Sequence, residues 1–271
     1  MMKADFFYSN AFGRSLLSIL QKTGAFRLSA RFLHTKLSRR MIPGVIKKNH
    51  IDMAPYEGRT FGSYADFFVR SYKHALPETS PDEFIAPCDS LLTVYPVTEG
   101  LELPMKGSLY RLTDVIPDEA LARTFHSGLC LVFRLEASDY HHFIWFDSGT
   151  LEGTHFIEGQ LHSVQPIACA HYPVYRLNRR WWSVLRTETF GTAVQAEIGA
   201  MMVGGVSFEK TEGAFTRGEE MGRFELAGST ILVFLNGEVR ERLELYEKYR
   251  DARDGVSEVK VQMGEALGIL K

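Results

Sequence analysis

Gly228-Ser229-Thr230, within residues 217–235 (RGEEMGRFELAGSTILVFL), puts a serine hydroxyl one peptide bond downstream of a glycine carbonyl. That hydroxyl can attack the carbonyl and exchange the amide for an ester. Glycine favours the attack, because the missing Cβ leaves its carbonyl uncrowded and tolerates strained backbone. β-Elimination from the ester frees the upstream chain and leaves a dehydroalanine, which hydrolyses to a pyruvoyl cap. A cofactor is then made from the chain itself. Taken alone the tripeptide also reads as a turn entering an apolar strand, so its meaning depends on residues elsewhere.

Those residues come in a definite order. DFFVR at 66–70, APCDS at 86–90, KGSLYRLTDVI from Lys106, DYHH at 139–142, LHSVQPIA at 161–168, LNRR at 177–180 and EIGAMMVGGV at 197–206 all precede GEEMGRFELAGSTILVF. Together they resemble the phosphatidylserine decarboxylase family. Its proenzymes carry an FFxR helix, an SPxDG turn, a lysine-glycine segment, an aspartate-tyrosine-histidine signature, a VNP or VQP turn, NxR and VGA blocks, and a GST motif near the end. The similarity covers nearly the whole chain.

The resemblance implies a role for each matching position. Ser229 is the autocleavage nucleophile and, once converted, the pyruvoyl residue. Cleavage between Gly228 and Ser229 gives a larger chain, 1–228, and a smaller one, 229–271. His141 matches the family's first histidine and Asp89 the acid of a serine-protease-like triad. Such chemistry needs a base to take the hydroxyl proton and a carboxylate to fix the imidazole tautomer. In the mature enzyme the ketone forms a Schiff base with a substrate amine and accepts the electron pair released as carbon dioxide leaves. His141, with a pKa near neutrality by residue type, is expected to return the proton. No metal is expected.

Departures from the pattern are informative. The family commonly reads DYHxxH, whereas DYHHFI places Ile144 at the second histidine. Either His141 serves both stages or His142 compensates, although neighbours on a strand face opposite sides. Asp139 is a possible second acid and equally a turn former. Ser90 stands where the SPxDG turn has glycine and is expected to tighten that turn.

The elements that must hold these residues are legible too. Residues 60–75 (TFGSYADFFVRSYKHA) read as a helix opened by Ser63, with Phe67, Phe68 and Tyr72 on its buried side. Beyond Pro77 short β-rich runs recur: LLTVYPV, LCLVFRLEA, HHFIWF, the SVQPIA region, VYRL, TAVQAEIGAMMVGGVSF and STILVFL. The expected fold is α+β and mainly β: a double-sheet sandwich or barrel-like catalytic body over 77–271, preceded by an amphipathic helical region over 1–76. Gly199 with Gly204-Gly205 lacks Walker spacing and reads as a strand bend. Trp181-Trp182, beside Arg179, Arg180 and Arg186, reads either as core packing or as a lipid headgroup contact.

Composition narrows the partners. With 31 Lys plus Arg against 33 Asp plus Glu, the net charge of -2 offers no global attraction for nucleic acid or anionic lipid. Residues 9–48 are different, holding Arg14, Lys22, Arg27, Arg31, Lys36, Arg39, Arg40, Lys47 and Lys48 and no acid. This stretch reads as a helical cap with a solvated basic face or as an interfacial anchor on anionic lipid. Cys88, Cys130 and Cys169 form no CxxC pair, which points to a reducing compartment rather than a disulfide framework or zinc cage.

The leading expectation is a pyruvoyl enzyme acting on phosphatidylserine in an anionic membrane. It would be peripheral on the cytoplasmic side with its cleaved chains staying together, and the resemblance implies a homodimer of such protomers. The competing expectations are a pyruvoyl decarboxylase of another amino-group substrate, and an uncleaved lipid-binding relative without activity.

Overall fold

Every residue of Ser229–Leu235 is buried, as a continuous apolar run in the middle of a covered sheet requires. It pairs antiparallel with Leu129–Leu135 on one side and Thr192–Ile198 on the other. The computed structural model describes residues 4–23, 25–71, 75–105, 108–200, 205–226 and 229–271. Tyr72, Lys106, Gly204 and Gly228, singled out above, lie outside the described residues.

Eight strands form the main sheet, in the spatial order Gly213–Phe215, Gly149–Ile157, Arg180–Thr187, Thr192–Ile198, Ser229–Leu235, Leu129–Leu135, Ser90–Pro96 and Val259–Val261. Side chains alternate between its faces. Ile231 and Val233 join Leu131, Phe133, Phe143, Met221 and Phe224 in one apolar cluster. The last three come from a three-stranded sheet, Val206–Phe208, Glu220–Phe224 and His142–Ile144, which lies over this face. The body is therefore mainly β with sheet packed on sheet, as expected. Its eight-stranded sheet stays open, because the two edge strands do not pair with each other.

The opposite face is covered by helices. Leu232 and Phe234 pack with Val194, Ala196 and, from the N-terminal region, Phe7, Tyr8 and Leu17. The amphipathic helices Ala11–Lys22 and Ala25–Leu33 thus supply part of the core cover. Their outer surfaces still expose Phe12, Ile19, Leu28 and Phe32.

Two sequence readings need correction. VYRL and the SVQPIA region are short helices, Val174–Leu177 and Pro166–Cys169, rather than strands. Pro166 sits at the first helical turn, where its fixed φ and missing N–H are at no disadvantage. Four apolar-rich residues are too few for periodicity to decide between the two states. The FFxR helix is also shorter than 60–75, spanning Tyr64–Phe68, with Ser63 Oγ accepting from Asp66 N at 3.1 Å as expected of the cap.

Candidate active site

Ser229 opens the central strand and is fully buried. Its side chain shares a sheet face with Ile231 and Val233. There it meets the ring of His141, with Ser229 Oγ 3.5 Å from His141 Nδ1. This is the outer limit of a hydrogen bond, a separation common in resting sites that tighten during reaction.

His141 is held by the turn before it, by a strand partner and by a stacked ring. In the turn before it, Asp139 N donates to Glu136 O at 3.1 Å and Glu136 N donates to Asp139 Oδ2 at 2.8 Å. Phe224 N donates to His141 O at 3.0 Å, and Phe68 from the FFxR helix stacks on the ring at 4.2 Å between centroids. The helix is itself tied to the turn: Arg70 Nη2 donates to Ser138 O at 3.1 Å and to Asp139 O at 3.2 Å. The Arg70 guanidinium also lies 5.0 Å from the centre of the Phe67 ring, a cation–π distance that holds it in place.

Burial drives the His141 pKa down to about 3, with the positive charge of Arg70 adding to the effect and the Glu136 carbonyl opposing it. The ring is therefore neutral at physiological pH and does not titrate near neutrality as residue type alone implies. A neutral imidazole with Nδ1 toward the hydroxyl is the form a general base requires, and a proton it takes is one it can later return. Its Nε2 is buried and finds no hydrogen-bond partner among the described residues.

A neutral buried histidine makes acid destabilising. The unfolded ring takes a proton below its ordinary pKa of 6.5, whereas the native ring resists protonation until about 3. The stability present above pH 6.5 is thus lost progressively as pH falls toward 3, on the order of 5 kcal/mol across the whole window. Urea unfolding at pH 7 and pH 4 should show the loss, and His141→Gln should flatten it. Parallel pH slopes in the two proteins would remove His141 as its cause.

The structure does not bring Asp89 onto the His141 ring. Asp89 Oδ1 accepts from Met263 N at 2.8 Å. Its turn is stitched to the histidine strand by Ile144 N donating to Pro87 O at 2.9 Å, and is tightened by Ser90 Oγ donating to Cys88 O at 3.4 Å. Asp139 is nearly buried and lies 2.5 Å from Lys260 Nζ. Burial raises its pKa, and the nearby charge of Asp89 contributes in the same direction.

His142 turns elsewhere. Its Nδ1 lies 2.7 Å from Glu220 Oε1, its Nε2 3.2 Å from Val69 O, and its ring stacks on Tyr140 at 4.5 Å. Ile144 is buried in the apolar cluster between the two sheets. The imidazole that faces Ser229 is that of His141. Gly228, the residue before Ser229 in the chain, lies outside the described residues.

Two residues of this region escape sequence reasoning. Lys260 sits opposite Leu91 on an edge strand whose VKV pattern is ordinary alternation, so nothing marks it. Glu197 pairs in register with Ile231 and is fully buried on the Ser229 face. Gln195 Nε2 donates to its Oε1 at 2.9 Å, and burial raises its pKa to about 8. An acid inside the apolar run TAVQAEI was the available signal.

Comparison with known proteins adds an independent line. A family model described as phosphatidylserine decarboxylase matches residues 64–269. The chain is similar to phosphatidylserine decarboxylase proenzyme 2 of Clostridium acetobutylicum, 36% identical over 266 residues that cover 97% of this chain and 90% of the relative. It is also similar to the phosphatidylserine decarboxylase proenzymes of Clostridium kluyveri, 33% identical over 273 residues covering 97% and 90%, and of Ruminiclostridium cellulolyticum, 34% identical over 271 residues covering 96% and 89%.

Proposed function

The chain belongs to the phosphatidylserine decarboxylase family, and from that premise we propose that it cuts itself between Gly228 and Ser229 and then decarboxylates phosphatidylserine to phosphatidylethanolamine. The observation that carries this reading is the buried Ser229 hydroxyl facing the neutral ring of His141 at 3.5 Å. A base held unprotonated beside a hydroxyl is what an acyl shift onto that hydroxyl needs.

Ser229 suits a pyruvoyl position. It is enclosed, beside the ring of His141. A pyruvoyl group there supplies an electron sink for the pair left when carbon dioxide departs. The chain's own residues do the rest: His141 takes and returns protons, while Phe68, Arg70 and the 136–139 turn hold it in place. Asp139 closes that turn by accepting from Glu136 N and meets Lys260 across it, with the charge of Asp89 nearby.

Cutting need not separate the products. The smaller chain begins with the central strand, hydrogen-bonded on both sides to the larger chain. Each fully buried apolar side chain of Ile231–Leu235 contributes roughly 1.5–3 kcal/mol to that hold.

Exposed Phe12, Ile19 and Leu28 beside basic residues favour peripheral attachment to an anionic surface. No helix among the described residues is long and apolar enough to cross a membrane. Cys88, Cys130 and Cys169 are buried and form no disulfide among the described residues, which suits the reducing cytoplasmic side. The family resemblance is what supports a homodimer.

Release of labelled carbon dioxide from phosphatidylserine in vesicles, run beside free serine and other amino acids, tests the substrate. Lipid should be the substrate turned over, with more product on vesicles enriched in anionic lipid. Turnover of a free amino acid with none from lipid would reassign the enzyme to soluble substrates.

A further inference from the structure

Glu197 puts a carboxyl group on the face of the sheet that carries Ser229. It stands opposite Ile231, two residues along the central strand from Ser229, and opposed residues of an antiparallel pair point to the same face. A diagonal neighbour of this kind is ~7–8 Å away, within reach of a long side chain. The carboxyl is fully buried. Gln195 Nε2 donates to its Oε1 at 2.9 Å, while Oε2 is buried and has no hydrogen-bond partner among the described residues. Burial, the largest influence on this group, raises its pKa to about 8, so it holds its proton at neutral pH. A protonated carboxyl that accepts at one oxygen still has an O–H to give. That donor is waiting for an acceptor.

The neighbours of Glu197 carry little charge. On its own strand Gln195 also reaches Met221 Sδ of the overlying sheet, at 3.1 Å. The central strand offers Ser229 and apolar Ile231, and the strand on the other side offers Trp181. His141 above Ser229 is neutral. Glu220 and Arg223, on the strand of Met221, pair with each other and with His142 and Glu209, and Arg179, two residues before Trp181, pairs with Glu158. The row that holds Glu197 runs outward to solvent. Trp181 is half-buried, and its own partner Phe156, with rings 4.9 Å apart, is 48% exposed. The buried carboxyl thus lies two strands in from an aromatic edge, on the face where Ser229 lies.

Resting on the decarboxylase reading above, we infer that the Glu197 carboxyl donates a hydrogen bond to the carboxylate of the substrate and so orients the group that leaves as carbon dioxide. A headgroup entering past Phe156 and Trp181 meets Glu197 on its way to position 229. A bond from O–H to a carboxylate is charge-assisted and stronger than a neutral one. Ionising Glu197 undoes it twice over: the donor disappears, and two carboxylates then face each other in an apolar space where like charges repel strongly. Substrate carboxylate recognition therefore fails at alkaline pH.

The test is kcat/KM for phosphatidylserine in vesicles from about pH 6 to about pH 9.5, with phosphatidylethanolamine as competing inhibitor, for the mature wild type, Glu197→Gln and Glu197→Leu. The wild-type value should fall about ten-fold per pH unit above about 8. In Glu197→Gln the amide keeps an oxygen for Gln195 and puts an N–H where Oε2 stands, with no proton to lose, so the alkaline fall should vanish. Glu197→Leu has no donor and should raise KM about ten-fold or more. Phosphatidylethanolamine has the amine without the carboxylate, so its inhibition constant should be the same in all three proteins. An identical alkaline fall in the wild type and Glu197→Gln overturns the assignment. So does inhibition by phosphatidylethanolamine that weakens in Glu197→Leu as much as KM rises, since that would mark a merely structural role. If the variants do not mature, the wild type alone decides: the ratio of KM to the inhibition constant cancels amine ionisation, which both lipids share, and should rise above about pH 8, whereas a flat ratio overturns the inference. Absence of self-cleavage or lipid turnover in the wild type at neutral pH would instead sink the decarboxylase reading itself, so the two failures are told apart.

Discussion

Ser229→Ala should leave the chain whole and without decarboxylase activity. Removing the hydroxyl removes the only group at this position able to convert the Gly228–Ser229 amide into an ester, so the loss should be complete. The fold should survive it. Among the described residues Ser229 Oγ makes a single long contact, to His141 Nδ1 at 3.5 Å, and losing so weak a bond costs about 1 kcal/mol or less. Thermal denaturation should therefore match that of the intact precursor while denaturing gels show one band. Two chains from the alanine protein would mean that cleavage lies elsewhere.

His141→Gln should slow self-cleavage by about 10²–10⁴-fold, the usual range for a positioned general base. Glutamine keeps a polar group near Ser229 but cannot accept a proton at any accessible pH. In the wild type the ring stays neutral down to about 3, so protonation of His141 should not slow cleavage between pH 8 and pH 5. His142→Gln is the control, because that ring is held by Glu220 and the Val69 carbonyl and faces away from Ser229. The measurement is the half-time of precursor conversion on denaturing gels. Equal half-times for the His141 and His142 variants would remove His141 as the base.

Much of this site was legible from residue types and order because its two central members carry local signatures: a glycine-serine bond before a strand, and a histidine at a strand entry. The strands themselves were readable where apolar runs were long, as in STILVFL and LCLVFRL. They were misread at VYRL and SVQPIA, where four residues carry no usable period and a proline sets the local choice. What sequence order could not provide was register. Nothing in the chain announces that Lys260 will meet Asp139 across 121 positions, or that the ring of His141 will stack on Phe68. Nor does residue type reveal that burial shifts His141 so far from its ordinary pKa. Asp89 shows the limit most clearly. Its motif places it in the right neighbourhood, but its carboxylate caps Met263 N rather than the imidazole. The replacement at Ile144 likewise looked more serious in sequence than in space, since the ring that faces the hydroxyl is at 141.

The most direct test of the central claim is the intact mass of freshly purified protein under denaturing conditions, with Ser229→Ala as the uncut reference. Two chains are predicted, ending at Gly228 and beginning at position 229. The smaller should be lighter than its sequence mass by one ammonia, the change that replaces the serine amine with a ketone. A single full-length mass identical in kind to that of Ser229→Ala would contradict the account and leave an uncleaved lipid-binding relative in its place.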